Sequence, residues 1–144
     1  MSLQEKSCGA VVFRRNGETE YLLLQYKPDH WDYVKAQVER TESEEETAIR
    51  ELEEETGITD ARFVEGFKEE INYFYRRQGR TVHKKVIFFL IQTKESNVKL
   101  SYEHLGYEWL NYEKALEKLT FTSAKNVLAK AHQFLRKQGM PEHE

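Results

Sequence analysis

The sequence predicts a mixed α/β domain in which one acidic helix packs against a sheet. Two apolar runs, residues 8–13 and 21–26, flank an Asn16-Gly17 tight-turn signal and read as a hairpin. A well-capped helical segment follows at 43–57. Beyond it, Val86-Ile87-Phe88-Phe89-Leu90-Ile91 is apolar enough for a central strand.

The elements follow in order. Residues 21–26, Tyr-Leu-Leu-Leu-Gln-Tyr, are continuous enough in apolar character to be buried on both faces. Lys27-Pro28-Asp29-His30 breaks that run, and residues 31–38 form an extended approach to the helix. Ser43 and Glu46 match a capping box, the first turn is acidic, and Gly57 stands where a C-cap glycine belongs. At 100° per residue, Ala48, Ile49, Leu52 and Thr56 share a face opposite Glu51 and Glu55, which predicts a buried side and an acidic one. Residues 63–75 and 82–93 read as two long strands around a basic tip, Arg76-Arg77-Gln78-Gly79-Arg80. Residues 107–110 form a short last strand, and 112–119 and 123–137 read as helices. Val127, Leu128, Ala131, Phe134 and Leu135 give the second of these an apolar stripe. A single domain spanning 1–144 is expected, with a polar, frayed end after Gly139-Met140-Pro141.

With 22 basic and 25 acidic residues the net charge is −3, which argues against a surface devoted to nucleic acid. One cysteine, Cys8, permits no internal disulfide and suits a reducing compartment. No apolar run reaches the ~20 residues of a spanning helix, and the N-terminus lacks a signal-peptide core, so a cytoplasmic protein without membrane contact is expected.

The chemistry is concentrated at residues 42–58. Glu51, Glu54 and Glu55 stand at i, i+3 and i+4, neighbours on one helix face. Three carboxylates side by side repel unless a cation sits among them, and hard divalent ions take oxygen ligands together with waters and substrate phosphates. Phosphate chemistry on metal ions is the expectation. Arg50 and Glu54, at i and i+4, can pair. Glu44, Glu45, Glu46 and Glu53 read as a solvated face, and Glu42 as support for the loop. His30, His83, His104 and His132 show no ligand spacing and read as structural or surface residues.

The pattern Glu42-x7-Arg50-Glu51-Leu52-x-Glu54-Glu55-x-Gly57-Ile58 resembles the Nudix box, with every signature position present except the first, occupied here by Ala36. Residues 8–15, 22–25, 65–73, 84–90 and 100–110 are similar to the branch that hydrolyses diadenosine tetraphosphate. The resemblance implies an α/β/α sandwich on a mixed sheet. It also implies Mg2+ or Mn2+ held by Glu51, Glu54, Glu55 and a backbone carbonyl near Lys35 or Ala36, with Arg50 orienting the carboxylates. Glu103 would face the metals as an extra ligand or as the general base for water. Lys35 and Lys84 would meet the polyphosphate, and Tyr73 would stack on a base or else pack as a strand aromatic. Arg76, Arg77 and Arg80 would keep a strand edge soluble or attract a polyphosphate or an RNA 5′ end. The implied activity is cleavage of a dinucleoside polyphosphate to ATP and AMP. RNA 5′-pyrophosphate removal, action on other nucleoside diphosphate derivatives and a non-catalytic nucleotide-binding module are the alternatives. The branch usually carries Pro-Lys-Gly-His where this chain has Val34-Lys35-Ala36-Gln37. If that glycine requires φ > 0, Ala36 is strained by about 1 kcal/mol or the loop takes another path.

Overall fold

The computed structural model describes residues 3–39 and 41–139; the polar end read after Pro141 lies outside them. β1 (Leu3–Asn16) turns through Gly17, whose φ of 79° suits a residue without a Cβ, into β2 (Glu18–Lys27). β3 (His30–Asp32), β4 (Val34–Gln37) and α1 (Glu44–Thr56) follow, then β5 (Arg62–Phe63), β6 (Glu69–Arg77) and β7 (Arg80–Gln92). β8 (Gly106–Leu110), α2 (Tyr112–Lys118) and α3 (Thr122–Lys137) complete the chain.

Among the described residues eight strands form one mixed sheet along the path β3-β2-β1-β7-β5, with β4 on β1, β6 on β7 and β8 on β2. β1 and β7 run parallel from Leu3 opposite Val82 to Phe13 opposite Gln92, and the other pairings are antiparallel. Because β7 occupies one edge of β1 almost throughout, β4 and β2 must share the other. β4 pairs with Ser7–Ala10 and β2 with Phe13–Asn16. The sheet therefore forks between β2 and β4, and the chain passes from one prong to the other at Tyr33. Alternation along β1 sends Val11 and Phe13 to a core with Ala115, Leu128 and Leu135 on one face. Ala10 and Val12 face Leu52 and Ile58 on the other. With α1 on one side and α2 and α3 on the opposite one, the result is the expected α/β/α sandwich. Each fully buried Leu or Val in these cores contributes about 1.5–3 kcal/mol.

Two expectations change, and the alternative left open at Ala36 is decided. The single strand over 63–75 is broken into β5 and β6, because Gly66 takes φ 94° beside the Phe134 ring and redirects the chain. Ala36 carries no left-handed strain: it lies in β4, opposite Cys8. Gln78, in the hairpin turn, is the one non-glycine residue with positive φ among those described. The acidic side of α1 is only partly open to solvent: Glu54 is exposed, while Glu51 and Glu55 are covered. Residues 99–105 cross it, and Glu51 and Glu55 are 8% and 7% exposed. Among the described residues no helix is long and apolar enough to cross a membrane.

Candidate active site

α1 begins on the predicted capping box. The Ser43 hydroxyl accepts from the Glu46 amide at 3.1 Å, and the Glu46 carboxylate accepts from the Ser43 amide at 2.8 Å. Gly57, at φ 75°, closes the helix with its N–H on the Glu53 carbonyl. Between these caps Arg50 ties the helix to the preceding loop. Its Nε donates to Glu42 at 2.5 Å, Nη1 to Glu51 at 3.3 Å and Glu54 at 3.2 Å, and Nη2 to the Gln37 carbonyl at 3.3 Å. The hydrogen bond from Arg50 holds the Glu42 carboxyl down at about 2. Glu42 is thus the loop's attachment point, as its sequence position suggested.

Glu51 and Glu55 lie one turn apart, buried and hydrogen-bonded to each other. Burial, then the hydrogen bond with Glu55 and its charge, push the Glu51 carboxyl up to about 8. Burial also pushes Glu55 up. The hydrogen bonds from Ser101 and Glu51, together with His104, outweigh that effect, and its net shift is downward. Two carboxylates this close share a proton when no cation lies between them. Their oxygen donors and unbalanced charge fit a hard divalent ion. Glu54 is turned toward Arg50 and its side chain is 57% exposed, so the third carboxylate is not gathered with the other two. Among the described residues no group of three or more potential ligands is assembled around one point.

A pH dependence follows. A carboxyl whose folded pKa is raised contributes stability that is complete below its unfolded value, near 4.5, and lost as pH rises through the folded value, near 8. The metal-free protein is therefore expected to lose stability from pH 4.5 to 8 in urea titrations, with Glu51→Gln flattening that slope and added Mg2+ opposing it.

Tyr26 marks the centre of the fork. Burial, followed by the charges of Asp32, Glu55, Glu51 and Glu103, pushes its phenol well above the usual range. β3, the crossing loop and α1 converge here, since the Tyr26 ring contacts His30 and His104 and His104 Nε2 meets Glu55 Oε2. The Tyr26 hydroxyl donates to the Tyr33 carbonyl, and its ring stacks on His30 at 5.1 Å and meets His104 edge-on at 4.6 Å. Glu103 is exposed on the crossing loop.

Beside the fork lies a cavity of about 430 Å³ whose walls include Asp32, Lys35, Asn72, Tyr73, Phe121 and Ser123. That volume is in the range of small-molecule sites. Two of the residues assigned to substrate by the sequence, Lys35 and Tyr73, thus come together. Lys35 Nζ is 3.1 Å from Asp32 Oδ2, and Tyr73 is 41% exposed. Lys84 stands opposite Tyr73 in the β6–β7 ladder, but its Nζ lies 3.5 Å from Glu5 and it is not among the residues lining the cavity. The hairpin tip is internally engaged: Arg77 pairs with Glu5 at 2.5 Å, and Arg76 donates to the Gly79 carbonyl at 2.7 Å.

Of the histidines, His132 is structural, stacked on Tyr112 at 3.8 Å and bonded to Tyr21, and His83 pairs with Asn72. His30 and His104 are at the site. His30 lines the cavity and its ring meets Phe121 at 5.0 Å, while His104 Nε2 meets the Glu55 carboxylate. Sequence reading missed these two, and Asp32 and Phe121 with them, because none has a spacing that ties it to the carboxylate helix.

The NUDIX domain family matches residues 4–131 of this chain. The mouse (Mus musculus) bis(5′-nucleosyl)-tetraphosphatase, asymmetrical form, is 39% identical across 90% of this chain and 95% of its own length. The Caenorhabditis elegans protein of the same description is 33% identical across 90% and 96%. A crystal structure of a C. elegans Ap4A hydrolase in a binary complex superposes with a TM-score of 0.77, at 32% identity, covering 92% of this chain and 98% of that one. Nudix hydrolases act on phosphoanhydride bonds and generally need divalent metal ions. With the family's signature helix in place and the match spanning nearly the whole fold, this chain belongs to the Nudix family.

Proposed function

We propose that the protein hydrolyses a phosphoanhydride bond of a dinucleoside polyphosphate, diadenosine tetraphosphate giving ATP and AMP, with Mg2+ or Mn2+. The observation that carries this reading is the placement of Tyr73, Phe121 and Lys35 around one cavity at the fork that also gathers Glu51 and Glu55. An aromatic face accepts a base by stacking. Lys35, in the strand that leads to the carboxylate helix, meets the phosphates by exchanging its Asp32 partner for them. Lys84 does the same from beside Tyr73 on releasing Glu5. Glu51, Glu54, Glu55 and the Ala36 carbonyl would hold the ion, with Glu54 leaving Arg50 to do so. Such an ion supplies charge neutralisation on the polyphosphate and acidifies the attacking water. Arg50 keeps loop and helix in register throughout. Glu103 acts from the crossing loop as base or additional ligand. Cys8 without a disulfide partner suits a cytoplasmic setting.

The test is incubation with diadenosine tetraphosphate and Mg2+ or Mn2+, with and without chelator, resolving products by ion exchange. Chelator-sensitive ATP plus AMP is expected, and no turnover would overturn this substrate in favour of another phosphoanhydride, tested with a wider nucleotide panel, or of a binding module. A triphosphorylated RNA in the same panel tests the 5′-end alternative, which the internal pairing of Arg76 and Arg77 disfavours. Tyr73→Ala is expected to raise KM about ten-fold or more with little change in kcat, the loss of one base stack.

A further inference from the structure

The loop that crosses α1 makes an unusual attachment to one carboxylate oxygen. The Ser101 hydroxyl donates to Glu55 Oε2 at 2.6 Å, and His104 Nε2 approaches the same Oε2. A carboxylate only accepts, so Nε2 carries the proton and donates. The backbone fixes both donors. Ser101 N–H binds the Glu55 carbonyl at 3.1 Å and Lys99 N–H the Thr56 carbonyl at 2.9 Å, satisfying carbonyls left free at the end of the helix. His104 N–H returns to the Ser101 carbonyl at 3.3 Å, and Leu105 N–H reaches Gln25 at 2.8 Å. The imidazole, 3% exposed, is walled by the Tyr26 ring, and its Nδ1 has no hydrogen-bond partner. Glu55 is therefore what the polar edge of this ring is placed to meet.

Two donors on Oε2 occupy both lone-pair directions of that oxygen, so Oε1 is the oxygen left to share a proton with Glu51 in the metal-free protein and to meet an ion that takes the proton's place. We propose that His104, together with Ser101, is a positioning residue that clamps Glu55 so that Oε1 alone is presented to the divalent ion. This rests on the reading of Glu51, Glu54 and Glu55 as the metal site. The clamp makes Glu55 a one-oxygen ligand with a fixed orientation, and it couples the crossing loop, which carries Glu103, to the occupancy of the site.

The test is Mn2+ affinity measured by calorimetry on the intact protein without nucleotide, alongside thermal unfolding in chelator. Parent, Glu55→Gln, His104→Ala, His104→Gln and Ser101→Ala are compared. His104→Ala is expected to weaken Mn2+ binding about 10- to 100-fold, the usual consequence of removing a partner of a metal ligand. His104→Gln, which keeps a donor of similar reach, is expected to restore most of that loss, which a merely space-filling role would not produce. At saturating Mn2+ the KM for diadenosine tetraphosphate should be unchanged in His104→Ala. Parental Mn2+ affinity in His104→Ala, while Glu55→Gln binds weakly, would overturn the clamp and leave the metal site standing. Parental affinity in Glu55→Gln would overturn the metal site and the clamp with it. Should His104→Ala fail to fold in chelator, Ser101→Ala decides, since it removes one of the two donors alone: weakened binding supports the clamp and unchanged binding overturns it.

Discussion

Glu55→Gln is expected to lower kcat for diadenosine tetraphosphate by about three orders of magnitude, because a bound ion stabilises the charged transition state by several kcal/mol and each 1.36 kcal/mol is a factor of ten. Glutamine has nearly the same shape and keeps a carbonyl for Ser101 and His104 to bind, so the change isolates the negative charge. KM for the nucleotide is expected to hold, since Tyr73, Phe121 and Lys35 are untouched. Glu51→Gln should behave similarly, because Glu51 and Glu55 are the two carboxylates already brought together and buried. Glu53→Gln, on the exposed side of the same helix, should hydrolyse like the parent. Steady-state kinetics with a chelator titration separates the cases. Parental turnover in both Glu51→Gln and Glu55→Gln would place the reaction elsewhere in the molecule.

The contrast between Glu55 and its partners shows what local sequence can and cannot convey. The helix was legible because everything that defines it lies within about a turn of something else. The Ser43 and Glu46 box, the Gly57 cap and the i, i+3, i+4 carboxylates are all short-range relations, and the first two are realised as expected. Family resemblance then supplied what spacing alone does not, including Lys35 and Tyr73, which the fold brings to one cavity. Ser101 and His104 reach Glu55 from a separate loop, Ser101 across 46 positions, and no periodicity announces such a contact. The burial of Glu51 and Glu55 was misread for the same reason. A helical wheel shows the face a helix turns to its sheet and says nothing of a loop laid over the other face. The break at Gly66 was hidden by apolar and aromatic residues on either side of it, which read as strand in both directions. Asp32 and Lys35 are close in sequence, but their pairing depends on the passage from β3 to β4 at the fork.

That fork also explains why the opening run carries small residues, and it yields the largest stability effect expected from a single methyl group. Gly9 lies opposite Lys35 where β4 presses onto β1. A Cβ at position 9 would overlap the Val34 carbonyl oxygen and stand 2.8 Å from Lys35 Cβ, so the β4 backbone itself would have to move. Gly9→Ala is expected to destabilise by about 1–3 kcal/mol, the usual cost of overpacking, seen as a lower urea midpoint at unchanged slope. Gly17→Ala provides the comparison. Gly17 has φ 79° with open space around its missing side chain, so alanine there meets only backbone strain of about 1–2 kcal/mol, at a turn remote from Lys35 and Ala36. The two variants therefore differ in consequence even if their midpoints fall together. Displacing β4 moves Lys35 and the Ala36 carbonyl relative to α1, so Gly9→Ala should also raise KM and weaken Mn2+ binding, whereas Gly17→Ala should leave both at parental values. Equal activity in the two would mean that the placement of β4 does not govern the site. Loss confined to Gly9→Ala would identify the close approach of these two strands as what positions the phosphate-binding loop against the carboxylate helix.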